Sequence, residues 1–267
     1  MPELDYLCPE LGISGVRVVS TTRLGGVSLP PYDSLNLGDH VGDTPDHVYA
    51  NRQLLIDSIA PAPTIHWLKQ VHGTGVAALP DAGVLPEADA AWTTQPFEAC
   101  TIMTADCLPI VLVDREARCV AAVHGGWRGL AAGVLQATLN ELPVPPESLV
   151  AWLGPAIGAT AFEVGAEVLD AFGVSPQDDA VTVNPQKPGH YFLDLNAIAT
   201  RQLLAAGLRS DAIFGGEYCS LSNPDRFFSH RRDGITGRMA TLVWLTCLLY
   251  TSPSPRDLST SRMPSSA

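Results

Sequence analysis

Apolar residues along the chain fall into short runs broken by glycine, proline and small polar residues. Such runs, bounded by turn-formers, predict buried strands. They lie at residues 100–104, 110–113, 119–123, 149–153 and 240–245, with a shorter strand at 65–70. Helical spacing marks 45–59, where Val48, Leu54 and Leu55 supply the apolar points, and again 130–142, 162–172 and 195–206. Strands and helices do not alternate strictly. The pattern predicts an α+β fold, one domain over residues 1–245 with mixed β-sheets flanked by helices. Residues 21–43, rich in Gly, Pro, Ser and Asn, read as a long structured loop of the kind that often carries function. Residues 246–267 are rich in serine and proline without any period, and are expected to be a non-native or disordered tail.

Composition narrows the function. Of 267 residues, 46% are hydrophobic and 16% charged, enough for a sizeable core. Net charge is −12 and the lysines are Lys69 and Lys187. Without a basic run, electrostatic capture of nucleic acid is not expected, and an anionic substrate must be held by local arginines against the overall field. No long apolar span and no basic-then-apolar leader are visible, so a cytoplasmic protein with no membrane partner is expected. The six cysteines are then expected to be reduced thiols.

The candidate chemistry lies in three places. Gln70-Val71-His72-Gly73, Ala105-Asp106-Cys107-Leu108-Pro109 and Val123-His124-Gly125-Gly126-Trp127-Arg128-Gly129 each put a reactive side chain beside a glycine, a proline or a strand end. His72, Cys107 and His124 form a donor set suited to zinc or copper, and three protein ligands leave a position open for substrate or water. Their separations match no short metal motif, so spacing alone leaves other readings open. Cys107 also suits a core position, or a nucleophile served by His124 or His72. Asp106 is a candidate proton carrier. His40, His47, His66, His190 and His230 are expected to be surface or core residues. Ser229-His230-Arg231-Arg232-Asp233-Gly234 offers either an anion site or an internal ion pair. Arg23, Arg52 and Arg128 are further anion candidates.

These stretches carry a resemblance. With Thr21-Thr22-Arg23-Leu24-Gly25-Gly26-Val27-Ser28, Ser34-Leu35-Asn36-Leu37-Gly38, Asn51-Arg52, Leu153-Gly154-Pro155-Ala156-Ile157-Gly158 and Phe227-Phe228-Ser229-His230, they resemble the multicopper polyphenol oxidoreductase (laccase-like) family. Its members are also described as purine nucleoside phosphorylases and adenosine deaminases. The resemblance implies an α+β fold and metal ligands at His72, Cys107 and His124. Where many members carry a cysteine pair after Ile157-Gly158, this chain has Ala159-Thr160-Ala161.

The resemblance implies a zinc enzyme that phosphorolyses adenosine, inosine, guanosine and S-methyl-5′-thioadenosine and deaminates adenosine. Asp106, Cys107 and Arg232 are the catalytic candidates. Asn36, Arg52 and Arg128 are the substrate-binding ones, with Arg52 and Arg232 meeting phosphate. The alternative is a copper-dependent polyphenol oxidase, with phenols as substrates. The chain lacks the paired His-x-His motifs of a trinuclear copper cluster, so that activity requires a different architecture or copper in the zinc site.

Overall fold

The computed structural model describes residues 4–246. Its centre is a six-stranded sheet in the order β13 (Ile213–Gly215), β9 (Leu149–Leu153), β7 (Leu108–Asp114), β8 (Val120–Gly125), β5 (Ala90–Thr93) and β4 (Val76–Ala78). Every residue of β7, β8 and β9 is buried. The sequence shows continuous apolar runs there, rather than alternation, because both faces of this sheet are covered. Ile110 and Leu112 face a core with Leu130, Val134, Leu139, Ile198 and Leu203. Those residues come from α2 (Trp127–Ala132), α3 (Val134–Glu141) and α5 (Leu195–Ala205). Val111 and Val113 point the other way, onto Val18, Ile102 and Val243.

Those three belong to a second sheet of five strands, in the order β1 (Tyr6–Leu7), β2 (Val16–Thr21), β14 (Met239–Leu245), β6 (Glu98–Thr104) and β3 (Thr64–His66). Its outer face is closed by α1 (Pro45–Ser58) and by the loop before it, through Leu35, Leu37, Leu55 and Ile59 against Val19, Leu242 and Trp244. A small sheet of β10 (Glu163–Gly165), β12 (His190–Leu193) and β11 (Val181–Val183), with α4 (Ala166–Phe172), completes the helical side. The short α6 (His230–Asp233) leads towards β14.

The α+β expectation holds, and β9 and α5 fall where the periodicity puts them. Three local differences have physical reasons. The helix expected over 130–142 is two helices, because Gly133 adopts φ 94° and closes α2 with a left-handed cap. The helix expected over 162–172 begins only at Ala166, since Glu163–Gly165 pairs with β12 as a strand. The strand expected over 65–70 ends at His66, beyond which Lys69 makes an isolated bridge to Glu87. The expected tail lies outside the described residues, apart from Thr246. No helix among the described residues is long and apolar enough to cross a membrane.

Two connections between the sheets set up the site. The chain leaves β6 in one sheet and enters β7 in the other through Ala105, Asp106 and Cys107, with Asp106 at φ 95°. It passes likewise from β3 to β4 through His72, at φ 60°. Both turns need a left-handed residue, which side chains other than glycine seldom adopt.

Candidate metal centre and active site

Cys107 immediately precedes β7, and His124 lies near the end of β8, opposite Pro109 of β7. Sheet pairing thus brings two distant sequence motifs side by side. His72 reaches the same point from its loop. The three ligating atoms lie within 4.8 Å of one another. Cys107 Sγ is 3.7 Å from His72 Nε2, and the two imidazole rings meet edge-on at 4.7 Å and 73°.

A buried carboxylate that sequence reasoning missed holds this arrangement. Asp89, fully buried, accepts hydrogen bonds from the backbone N–H groups of Val71 (3.2 Å), His72 (2.9 Å) and Gly73 (2.6 Å). It also takes one from His124 Nδ1 at 2.7 Å. One side chain therefore fixes the left-handed loop of one ligand and the ring of another. With Nδ1 engaged, His124 presents Nε2 to Cys107. The sequence signal was faint: a lone aspartate between alanines at the mouth of an apolar strand.

Gly126 completes the cradle. A Cβ there would stand 2.7 Å from His72 Cδ2 and 3.4 Å from both Cys107 Sγ and His124 Cε1. The glycine keeps the space in which the three donors converge.

Electrostatics couples the donors. Burial opposes the Cys107 thiolate, but the His124 and His72 imidazoles outweigh it and bring the thiol down to about 6. Burial likewise opposes the His124 cation, yet the thiolate and Asp89 raise it to about 9. Cys107 and His124 thus each favour the charged form of the other. Thiolate and imidazole are ligands that a metal ion takes in place of a proton. Two such ligands at zinc bond lengths and a tetrahedral angle stand about 3.6 Å apart, close to the 3.7 Å between Sγ and Nε2. The donor set fits zinc or copper. Among the described residues this is the one group of three or more His, Cys, Asp and Glu that converges in this way.

The triad opens on a cavity of about 370 Å³, lined further by His40, Gln70, Met103, Thr104, Ala105, Arg128, His230 and Arg238. In a chain with net charge −12 this lining holds no carboxylate. Gln70 shapes the wall: its amide donates to Met103 O (2.8 Å) and accepts from Met103 N (2.7 Å), prolonging the five-stranded sheet with a side chain.

Of the residues expected at the site, His72, Cys107, His124 and Arg128 meet in this cavity and five others do not line it. Asp106 accepts hydrogen bonds from Ser220 Oγ (2.6 Å) and Arg231 N (2.7 Å), so both carboxylate oxygens are used in tying the turn to α6. Arg232 spends all five donors on Asp233 and on the carbonyls of Ser220, Leu221 and Phe227. Its guanidinium forms the internal ion pair with Asp233. Arg52 stacks 4.0 Å from the Trp67 ring centre and donates to Leu37 O. Asn36 is fully buried and bonded to Gly38, Asp43 and Arg238. Arg23 bridges Asp33 and Pro224. Conversely, His40 and His230, expected to be surface or core residues, line the cavity, as does Arg238. Arg238 carried no sequence signal, being one arginine just ahead of the last strand.

Fold and site together define an α+β protein with a candidate mononuclear metal centre where two sheets meet. The chain belongs to the family described as multi-copper polyphenol oxidoreductase laccase, whose model matches residues 17–246. It is 50% identical over 231 residues to a purine nucleoside phosphorylase of Pseudomonas aeruginosa, covering 86% of this chain and 93% of that one. It is 47% identical to purine nucleoside phosphorylase YfiH of Escherichia coli, over 86% and 94%. A crystal structure of a Neisseria meningitidis protein superposes with TM-score 0.84 at 44% identity, over 91% of this chain and 99% of that one. YlmD from Geobacillus stearothermophilus gives TM-score 0.83 at 31% identity, over 92% and 99%.

Proposed function

We propose that this protein is a zinc-dependent purine nucleoside phosphorylase acting on adenosine, inosine, guanosine and S-methyl-5′-thioadenosine. The observation that carries the reading is a metal-fitting triad opening on a cavity without a carboxylate. The names of the curated relatives point to the same reaction. In phosphorolysis, a hydrogen phosphate oxygen bonds to C1′ as the C1′–N9 bond breaks. The bonding pair leaves with the purine, and the phosphate's proton ends on the base. That reaction brings its own anionic nucleophile and asks the protein for positive charge and a proton path. His72, Cys107 and His124 would hold the zinc ion, which would supply Lewis acidity there.

The side chains of this chain supply the rest. Asp89 keeps His124 and the His72 loop in register. Arg128 and Arg238 bring positive charge to the cavity. His40 and His230 are the wall residues able to carry a proton. Burial and the neighbouring Arg238 hold His40 below the ordinary histidine value, so it is neutral and able to accept a proton at pH 7. Deamination of adenosine, which zinc deaminases run with a carboxylate shuttle, finds no carboxylate in this lining, so these histidines would have to carry that proton too. Copper in the same triad is the alternative cofactor, with phenols as substrates.

The test is adenosine turnover by protein loaded with zinc alone or copper alone, with and without phosphate. Adenine and ribose 1-phosphate from the zinc form, only with phosphate present, are expected. Inosine without phosphate would establish deamination instead. Phenol oxidation by the copper form, with no purine product from either, would sink the reading. A second reading rests on one observation: Cys107, His124 and Asp89 also stand in the order of a nucleophile, its base and the group that orients the base. It requires activity that survives chelation and is lost to thiol alkylation.

A further inference from the structure

Arg238 presents a problem of charge. Its side chain is largely buried, and burial works against its cation. Among the described residues it forms no salt bridge, and the charges that favour its cation are Cys107, a candidate metal ligand, and Asp106, a carboxylate already bonded to Ser220 and Arg231. The other cavity cation, Arg128, is exposed, makes no salt bridge among the described residues and stacks at 4.4 Å on Trp127. A desolvated cation such as Arg238, with no anion in contact, is costly unless something else supplies one.

The donors of Arg238 are only partly used. Nη1 donates to Thr236 O (3.1 Å) and Gly237 O (3.0 Å), while Nε and Nη2 have no partner among the described residues. The backbone around it is held firmly. Arg238 N donates to Asn36 Oδ1 at 2.9 Å, and Leu37 N donates to Arg238 O at 3.1 Å. Gly38 makes room for the arginine stem, since a Cβ there would stand 2.7 Å from Arg238 Cγ. Asn36, expected to touch substrate, instead sits in a turn that braces an arginine facing the cavity.

We infer that Nε and Nη2 of Arg238, with the guanidinium of Arg128, form an oxyanion subsite that takes inorganic phosphate. Two adjacent guanidinium donors match two oxygens of a tetrahedral anion, and a lysine cannot reproduce that fork. The inference rests on the phosphorylase reading for its choice of oxyanion, and it places the phosphate in a cavity whose lining holds no carboxylate. Asn36 is then a positioning residue.

The experiment uses the zinc-loaded full chain and the variants Arg238→Gln, Arg238→Lys and Arg128→Gln, each checked for wild-type zinc content. Inorganic phosphate alone is titrated while thermal unfolding is followed, and KM for phosphate and for nucleoside are measured separately. Phosphate should raise the wild-type Tm, and Arg238→Gln should abolish that rise. KM for phosphate should climb about tenfold or more in Arg238→Gln, with KM for nucleoside within about twofold of wild type. Arg238→Lys should recover only part of the loss, and Arg128→Gln should give a smaller loss of the same kind. If Arg238→Gln fails to fold, Arg128→Gln and Arg238→Lys decide. Wild-type protein whose Tm ignores phosphate, or folded variants with unchanged phosphate KM, overturn the subsite. Phosphate binding that depends on Arg238 without any purine product would overturn the phosphorylase reading and leave the subsite standing.

Discussion

Asp89 and Asp114 do nearly the same physical work in two regions of one sheet. Each side chain is fully buried. Each gathers the N–H groups of a turn: Val71, His72 and Gly73 for Asp89, and Glu116 and Arg118 for Asp114. Each also binds one side chain, His124 Nδ1 at 2.7 Å in the first case and Arg118 Nε and Nη2 at 2.7 and 2.9 Å in the second. The difference lies in what the partner does next. Arg118 ends in solvent beside Glu116. His124 turns its second nitrogen to Cys107 and the cavity. A buried carboxylate in a turn is therefore not a functional signal by itself. It becomes one when its partner has a second face to offer.

The sharpest break in this comparison comes from removing each carboxylate. Asp89→Ala leaves three N–H groups and a buried imidazole without their acceptor. It should cost about 3–5 kcal/mol of stability and about 10–100-fold in zinc affinity. Denaturant unfolding of the apo-protein and competition with a chromophoric chelator measure the two losses. Stability lost with zinc affinity unchanged would show that Asp89 is structural in the way Asp114 is. Asp114→Ala should cost about 2 kcal/mol, because the half-exposed Arg118 returns to water, and should leave zinc affinity at the wild-type value.

A second test moves the cradle and leaves the carboxylate alone. In Gly126→Ala the new Cβ meets the edge of the His72 ring at 2.7 Å. His72 is exposed and can swing aside, so the fold should survive with little change in Tm. Zinc affinity should fall about tenfold as the third ligand leaves its place. An unchanged affinity would mean that His72 does not help to hold the metal.

How far these features were legible in the sequence follows from what periodicity records. Burial on both faces writes continuous apolar runs, so residues 119–123 and 149–153 read directly as β8 and β9. Glycine in the left-handed region writes no period, so Gly133 splits a helix that the spacing shows as whole. The metal donors were visible as motifs, though their convergence depends on β7–β8 pairing and on two inter-sheet turns. Asp89 and Arg238 were invisible because each acts through a contact made by the tertiary fold. Arg232 and Asp106 were legible for the opposite reason. Their charge drew notice, and the fold spends it internally on Asp233, Ser220 and Arg231.

The smallest expected effect separates the two carboxylates by pH. Burial opposes ionisation of Asp114, but the Arg118 guanidinium and backbone N–H groups overcome it and hold its carboxyl below the ordinary aspartate value. A carboxyl depressed in the folded state contributes stability that is fully present above the unfolded pKa, about 3.9. That contribution is lost as pH falls through the lower folded value. Unfolding free energy of the metal-free protein should therefore fall as pH drops below about 4. Asp114→Asn should remove part of that slope, since an amide has no proton to take up there. Measured between pH 3 and 7 with urea, parallel curves for wild type and Asp114→Asn would show that Asp114 carries no charge-dependent stability. Converging curves at acid pH would confirm that the Asp114 carboxylate stabilises the fold through its charge.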